Sequence, residues 1–214
     1  MKIQKKVCFM VSLVLTIFLS AWTIPTTAIS NQLLSVSAAN ESFTVGYSAA
    51  GLIDELQIGW SDAAKKTIED AGGKVILVDS QNKIAKQISD IEDLLTQNID
   101  FLIINPVDEA GIVPAIEAAN KANVPVITID RAAASGKVAV HVGFDNYKAG
   151  FEAGEYCATK MNKKGEVAQL EGQAGTSVAR ERAQGFIDAI AKYPDMKIVF
   201  DKPTDWDTTK ALTA

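Results

Sequence analysis

From Val124 to Arg131 the chain reads VPVITIDR, a run of apolar and β-branched residues that stops on a carboxylate and a guanidinium. A run this short and this apolar is the pattern of a strand inside a parallel sheet, covered on both faces. Asp130 and Arg131 then fall at the carboxyl end of that strand, where open parallel α/β sheets bind their ligands. The run therefore points to an α/β chain with a parallel sheet, and to its first candidate site residues.

Short apolar runs alternate with helical patterns from Phe43 onward, as in βαβ units. Strands are expected from Phe43 to Ser48, Lys74 to Asp79, Phe101 to Ile104, Val124 to Ile129, Lys137 to Phe144, Glu166 to Gly172 and Met196 to Asp201. Leu56, Trp60, Ala63, Ala64, Ile68 and Ala71 recur at helical spacing before Gly72 and Gly73, with Asp54 as the expected N-cap. Ile84, Ile88, Ile91, Leu94 and Leu95 share one face of a second helix. Ile112, Ile116 and Ala119 mark a third, whose first turn can accommodate Pro114.

Asp145 can cap a helix over 146–161, on which Gly150 and Gly154 predict close packing against a neighbour. Another helix is expected over 177–192, and a last one from Trp206 stops at Ala214. So short a final helix buries little, and its sheet has few strands. The sequence is expected to be a fragment of a longer protein.

Lys2, Lys5 and Lys6 precede an apolar stretch from Val7 to about Ile24, and Ser35, Ser37, Ala38 and Ala39 supply small residues for cleavage. Residues 1–39 read as a secretory signal. The competing reading is a retained membrane anchor, since the stretch reaches the lower limit for spanning a bilayer. Cys8 lies before the apolar core, the wrong side for lipid attachment.

Loss of that segment removes three of the 21 basic residues and none of the 26 acidic ones, leaving 18 against 26, a net charge of −8. Such a chain lacks the electrostatic footprint of a nucleic-acid binder, whose affinity comes from neutralising phosphates. Cys157 remains as the one mature cysteine, so no internal disulfide can form. In its helical setting it reads as a small buried thiol.

Catalytic chemistry has little to work with. His141 is the single histidine and falls in a strand pattern, and no serine or cysteine sits in a nucleophile-elbow context. Metal-ligand spacings are absent, and GYSAAG after the first strand has neither a dinucleotide fingerprint nor a phosphate loop. No cofactor is expected. Polar residues at strand ends remain: Asp79 to Asn82, Asn105, Asp130 with Arg131, Asp145 with Asn146, and Gly172 to Ser177. Each alone reads as a helix cap or turn. Consecutive strand ends converge on one crevice, however, and carboxylate, amide and guanidinium groups there suit a neutral polyhydroxylated ligand.

The segments LVDSQN (Leu77 to Asn82), IINPVD (Ile103 to Asp108), VPVITIDR and AGTSVARERAQGF (Ala174 to Phe186) resemble those of bacterial ribose-binding protein and its relatives, the periplasmic binding proteins of sugar ABC transporters. The resemblance covers nearly all of the mature chain. It implies the type I periplasmic binding protein fold, with two Rossmann-like lobes built on parallel sheets, joined by a hinge and closing on a sugar. Here the second lobe is expected to be truncated. The expected division is a signal at 1–39, an N-terminal sugar-binding lobe at 40–144 and an incomplete C-terminal lobe at 145–214.

Carried over by motif, the resemblance implies ligand contacts at Asn105, Asp130, Arg131 and Arg182. Trp206, in PTDWD, resembles the family's sugar-stacking aromatic position, and Asp145 with Asn146 resembles the first crossing between lobes. The first loop departs from the family, reading GLIDELQ from Gly51 to Gln57 where asparagine and aromatic residues are common. Asp54 and Gln57 are the expected substitutes there, and the ligand need not be ribose.

The expected function is that of an exported, monomeric substrate-binding component of a sugar ABC importer. It would hold a monosaccharide between its lobes and present the closed form to a membrane permease, with no nucleic-acid partner. The alternative is a sugar sensor that signals to a chemoreceptor or sensor kinase. The effector domain of a sugar-responsive repressor shares the fold, but the export signal and acidic charge argue against it. An enzyme ranks last.

Overall fold

The apolar runs pair as β1 (Thr44–Ala49), β2 (Lys74–Asp79), β3 (Phe101–Ile104), β4 (Val126–Ile129) and β5 (Val140–Val142). They form one parallel sheet in the order β2-β1-β3-β4-β5. The order reverses beside β1, so a crevice opens past the carboxyl ends of β1 and β3. The computed structural model describes residues 42–53 and 55–214. The expected signal segment and the expected cap and ligand contact Asp54 lie outside the described residues.

Helices α2 (Ile84–Leu95) and α3 (Val113–Lys121) cover one face of this sheet. The isoleucine and leucine spacing of α2 brings Ile91 and Leu94 onto Leu102, Ile104, Ile116 and Val126, all six fully buried. Pro114 lies in the first turn of α3, where its missing N–H costs no helical bond.

The opposite face is thinner than VPVITIDR suggests. Val126 and Thr128 are buried, but Ile127 and Ile129 are only half-buried. Among the described residues one helix, α1 (Glu55–Asp70), covers that side, and it buries Gln57 and Ser61 rather than its apolar stripe. Between α1 and β5 an apolar groove of about 390 Å³, lined by Tyr47, Trp60, Ile129 and Val142, stays open. Burial pushes the Tyr47 hydroxyl up to about 12, so it remains neutral in the sheet.

The chain then enters α4 (Asn146–Lys160), followed by β6 (Gly165–Glu171), α5 (Ser177–Ile190), β7 (Met196–Pro203) and α6 (Thr208–Thr213). Strands β6 and β7 make a second, two-stranded parallel sheet. Asp145 caps α4 as expected, its Oδ1 accepting from the Lys148 N–H at 2.9 Å. Helices α4 and α5 pack backbone to backbone. A Cβ on Gly150 would overlap the Arg182 carbonyl, and one on Gly185 would overlap that of Tyr147. Gly154 likewise faces Ala189 and the Phe186 carbonyl.

Cys157 is half-buried, its thiol 3.7 Å from the Met161 sulfur. Helix α6 begins at Thr208 rather than at Trp206, because Asp205 and Trp206 both have positive φ, +55° and +60°. Those angles break the helical run before Asp207 caps α6.

Candidate functional site

Strand β4 delivers the first pair. Its ladder ends when the Asp130 N–H donates to the Val142 carbonyl at 2.8 Å and the Arg131 N–H turns back to Ile129 at 2.6 Å. Asp130 takes φ +59° within that tight three-residue turn. Such a conformation is unfavourable for a non-glycine residue, and strain of this kind gathers at ligand sites. The Arg131 guanidinium is buried; its Nη1 donates to the Pro106 carbonyl at 3.3 Å and its Nε lies 3.8 Å from Asp130 Oδ2. The two strand ends β3 and β4 are thereby tied together beneath the crevice.

Asn105 holds a different place. It is buried at 2 % exposure, its N–H donates to the Ser48 carbonyl at 2.9 Å, and it is not among the residues lining the cavity beside Asp130. Its Oδ1 is buried without a hydrogen-bond partner. Gln87 of α2 organises this region. Its Nε2 donates to the Asn105 carbonyl at 2.8 Å and to Ser48 Oγ at 3.2 Å, while its Oε1 accepts the Val107 N–H at 2.8 Å. The INP turn after β3 is thus held by a fully buried carboxamide.

From the other side, α5 supplies Arg182 and the β7–α6 turn supplies Trp206. Arg182 Nε donates to Asn146 Oδ1 at 2.9 Å, and its guanidinium carbon stands 5.8 Å from the Trp206 ring centroid. Gly172 makes room for the indole, since any Cβ there would overlap its six-membered ring. Thr204 anchors the turn by giving both its N–H (3.0 Å) and its hydroxyl (2.7 Å) to the Glu171 carbonyl. The Lys210 ammonium, 2.7 Å from Asp205 Oδ2, holds the Asp205 carboxyl below the usual carboxylate range.

These groups meet at a cavity of about 620 Å³ between the two sheets. Gln57, Asn82, Asp130 and Arg131 line it from the first lobe, with Gln173, Arg182, Asp205 and Trp206 facing them from the second. Ile53, Leu56 and Trp60 complete an apolar section of the wall. Gln57 is buried, and its Oε1 accepts the Gly51 N–H at 3.2 Å, which ties the first loop to α1. Of the expected contacts, Gln57, Asp130, Arg131, Arg182 and Trp206 line the cavity together, and Asn105 is buried and not among the lining residues.

Asn82, Gln173 and Asp205 are lining residues that the motif match does not single out. Asn82 has φ +55° and a buried Oδ1 without a partner. Its position after β2, at the end of LVDSQN, was the available signal. His141 lies away from the cavity, 2.9 Å from Thr128 Oγ1.

A family model described as a periplasmic binding protein domain matches residues 36–214. The chain belongs to the periplasmic binding protein family. Within the family it is 41% identical over 179 residues to the ribose import binding protein of Bacillus subtilis (strain 168), covering 84% of this chain and 58% of the relative. The Escherichia coli (strain K12) ribose import binding protein is 37% identical over 169 residues, 79% of this chain and 57% of the relative. The chain thus spans somewhat over half the length of these relatives.

Among solved structures, the fructose-binding periplasmic domain of a hybrid two-component system superposes with TM-score 0.75 at 30% identity, over 79% of this chain and 56% of that one. A galactofuranose-binding protein gives TM-score 0.73 at 30% identity, over 78% and 58%. The periplasmic binding protein fold follows: two α/β lobes on parallel sheets, with the cavity at their junction. Among the described residues no helix is long and apolar enough to cross a membrane.

Proposed function

We propose that the chain belongs to the substrate-binding component of a sugar ABC importer and that the cavity between its lobes holds a monosaccharide. One observation carries the reading: Asp130 and Arg131 from one lobe and Arg182 and Trp206 from the other line the same space. A carboxylate accepts from two vicinal hydroxyls, guanidinium forks donate to ring or hydroxyl oxygens, and an indole face covers sugar C–H groups. Gln57 and Asn82 add carboxamides that can donate and accept. Asp54 is assigned to the first-loop contact, and Asn105 to support of the turn beneath Arg131.

Binding draws the lobes together over the ligand, with residues 40–144 and 145–214 as the two bodies, and nothing is chemically transformed. No cofactor enters this scheme. The partners assigned are the monosaccharide and a membrane permease, with the protein exported and monomeric and no role for nucleic acid. The import role is preferred to a sensory one because the relatives at 37–41% identity are import binding proteins. D-ribose is the first sugar to test, although GLIDELQ replaces aromatic residues by the aliphatic Ile53 and Leu56 on that wall. Calorimetric titration with D-ribose and a panel of pentoses and hexoses tests the proposal. Saturable binding of one of them supports it, and silence across the panel at millimolar concentrations sinks it.

A further inference from the structure

Helix α5 carries two arginines two residues apart, which places them about 200° apart around the helix and so on different sides. Arg182 lines the cavity. Arg180 does not, and turns instead to Glu109, in the segment between β3 and α3 of the opposite lobe. The pair is bidentate, with Arg180 Nε 2.9 Å from Glu109 Oε1 and Nη2 3.0 Å from Oε2. Glu181 Oε1 lies 3.3 Å from the same Nη2. Planar two-point pairing fixes orientation as well as distance.

Two backbone contacts cross the same seam. The Glu109 N–H donates to the Gly175 carbonyl at 2.8 Å, and the Ala132 N–H donates to Ser177 Oγ at 2.8 Å. Gly175 has φ +81°, and a Cβ there would overlap the Asp108 carboxylate. Glu109 is itself fixed, because its carbonyl accepts the Ala134 N–H at 2.7 Å. Neither Glu109 nor Arg180 lines the cavity. The Arg180–Glu109 pair and the Gly175 and Ser177 contacts all span the two lobes, so a rotation that separates the lobes breaks them together.

We infer that Arg180 and Glu109 form a latch outside the cavity, which holds the lobes shut and thereby sets the affinity for the ligand without touching it. The inference rests on the sugar-binding reading. A protein whose binding-competent form is only partly populated binds more weakly by that fraction, so a contact made only in the closed form raises apparent affinity. A surface pair is worth little when isolated, but bidentate geometry and a mostly buried Glu109, 19% exposed, place this one at the upper end. Loss of the latch is expected to weaken binding roughly three- to tenfold.

A neutral sugar has no charge for salt to screen, so ionic-strength dependence of its binding must come from the protein, and the latch supplies such a source. The test compares wild type, Arg180→Gln, Arg180→Glu and the charge-swapped Glu109→Arg/Arg180→Glu pair. Amide hydrogen exchange at Glu109 and Ala132 is measured without ligand, and D-ribose and the sugar panel are titrated at low and high salt. Both single variants are expected to exchange faster at these amides and bind three- to tenfold more weakly. Arg180→Gln flattens the salt dependence, Arg180→Glu, which sets a carboxylate against Glu109, reverses its sign, and the double variant recovers exchange and affinity. Unchanged exchange in the single variants, no recovery in the double, or altered exchange with unaltered affinity would overturn the latch. Faster exchange with recovery, in a protein that binds no sugar at all, would leave the seam contact standing and remove the sugar-binding reading instead.

Discussion

Arg182 and Asn146 are joined at 2.9 Å, the guanidinium Nε donating to a carboxamide oxygen that is buried where the chain enters the second lobe. Asn146 does not line the cavity, but it aims the arginine that does. Asn146→Ala is expected to weaken sugar binding about tenfold, the size of one hydrogen bond to a charged group. The fold should persist, so calorimetric affinity should drop with little change in melting temperature.

The backbone contact between α4 and α5 fixes the same arginine from behind. Gly150→Val would drive a branched side chain into the Arg182 carbonyl. The helices must separate, at a cost of about 1–3 kcal/mol for overpacking. Denaturant unfolding should show that loss, whereas Gly59→Ala on α1, where the added Cβ meets nothing within 4 Å, should be neutral or stabilising.

Gln87 makes three bonds in a site with no water access. Gln87→Leu preserves bulk but strands the Asn105 carbonyl and the Val107 N–H. Each buried orphan costs about 1–3 kcal/mol, so a loss near the upper part of that range is expected in chemical denaturation. The loosened INP turn should weaken sugar binding as well, through Pro106 and Arg131.

Glu171 gives the second lobe a pH dependence. Desolvation first, and then the hydrogen bond with Asp201, hold its carboxyl above the ordinary glutamate range. The folded chain therefore keeps a proton that the unfolded chain releases. The stability so contributed is full below the ordinary glutamate value and is lost as pH rises through the raised folded one. Glu171→Gln, neutral throughout, is expected to melt higher than wild type above the raised Glu171 range and to lose less stability as pH rises from the ordinary glutamate value.

Much of this was legible in the residues. VPVITIDR predicted β4 and its exit on Asp130 and Arg131, because apolar patterning and strand length determine burial directly. Asn105 was harder to place. A polar residue after a strand looks the same whether it faces the crevice or not, and the backbone of this turn is held by Gln87, 18 residues away on another element. Gln87 itself was hidden among the isoleucines of α2, since spacing shows that a position faces inward but not that a carboxamide there will find three partners. The late start of α6 was equally hidden. Helical propensity from Trp206 onward was outweighed by the positive φ angles that set the indole over Gly172.

The central claim is that Asp130, at the end of β4, binds sugar hydroxyls. Calorimetry of wild type and Asp130→Ala with the same monosaccharide panel tests it most directly. Wild type is expected to bind at least one sugar saturably, with the affinity weakened at least a hundredfold in the variant, about 2.7 kcal/mol. No binding by wild type at millimolar concentrations, or equal affinity in the two proteins, would contradict it.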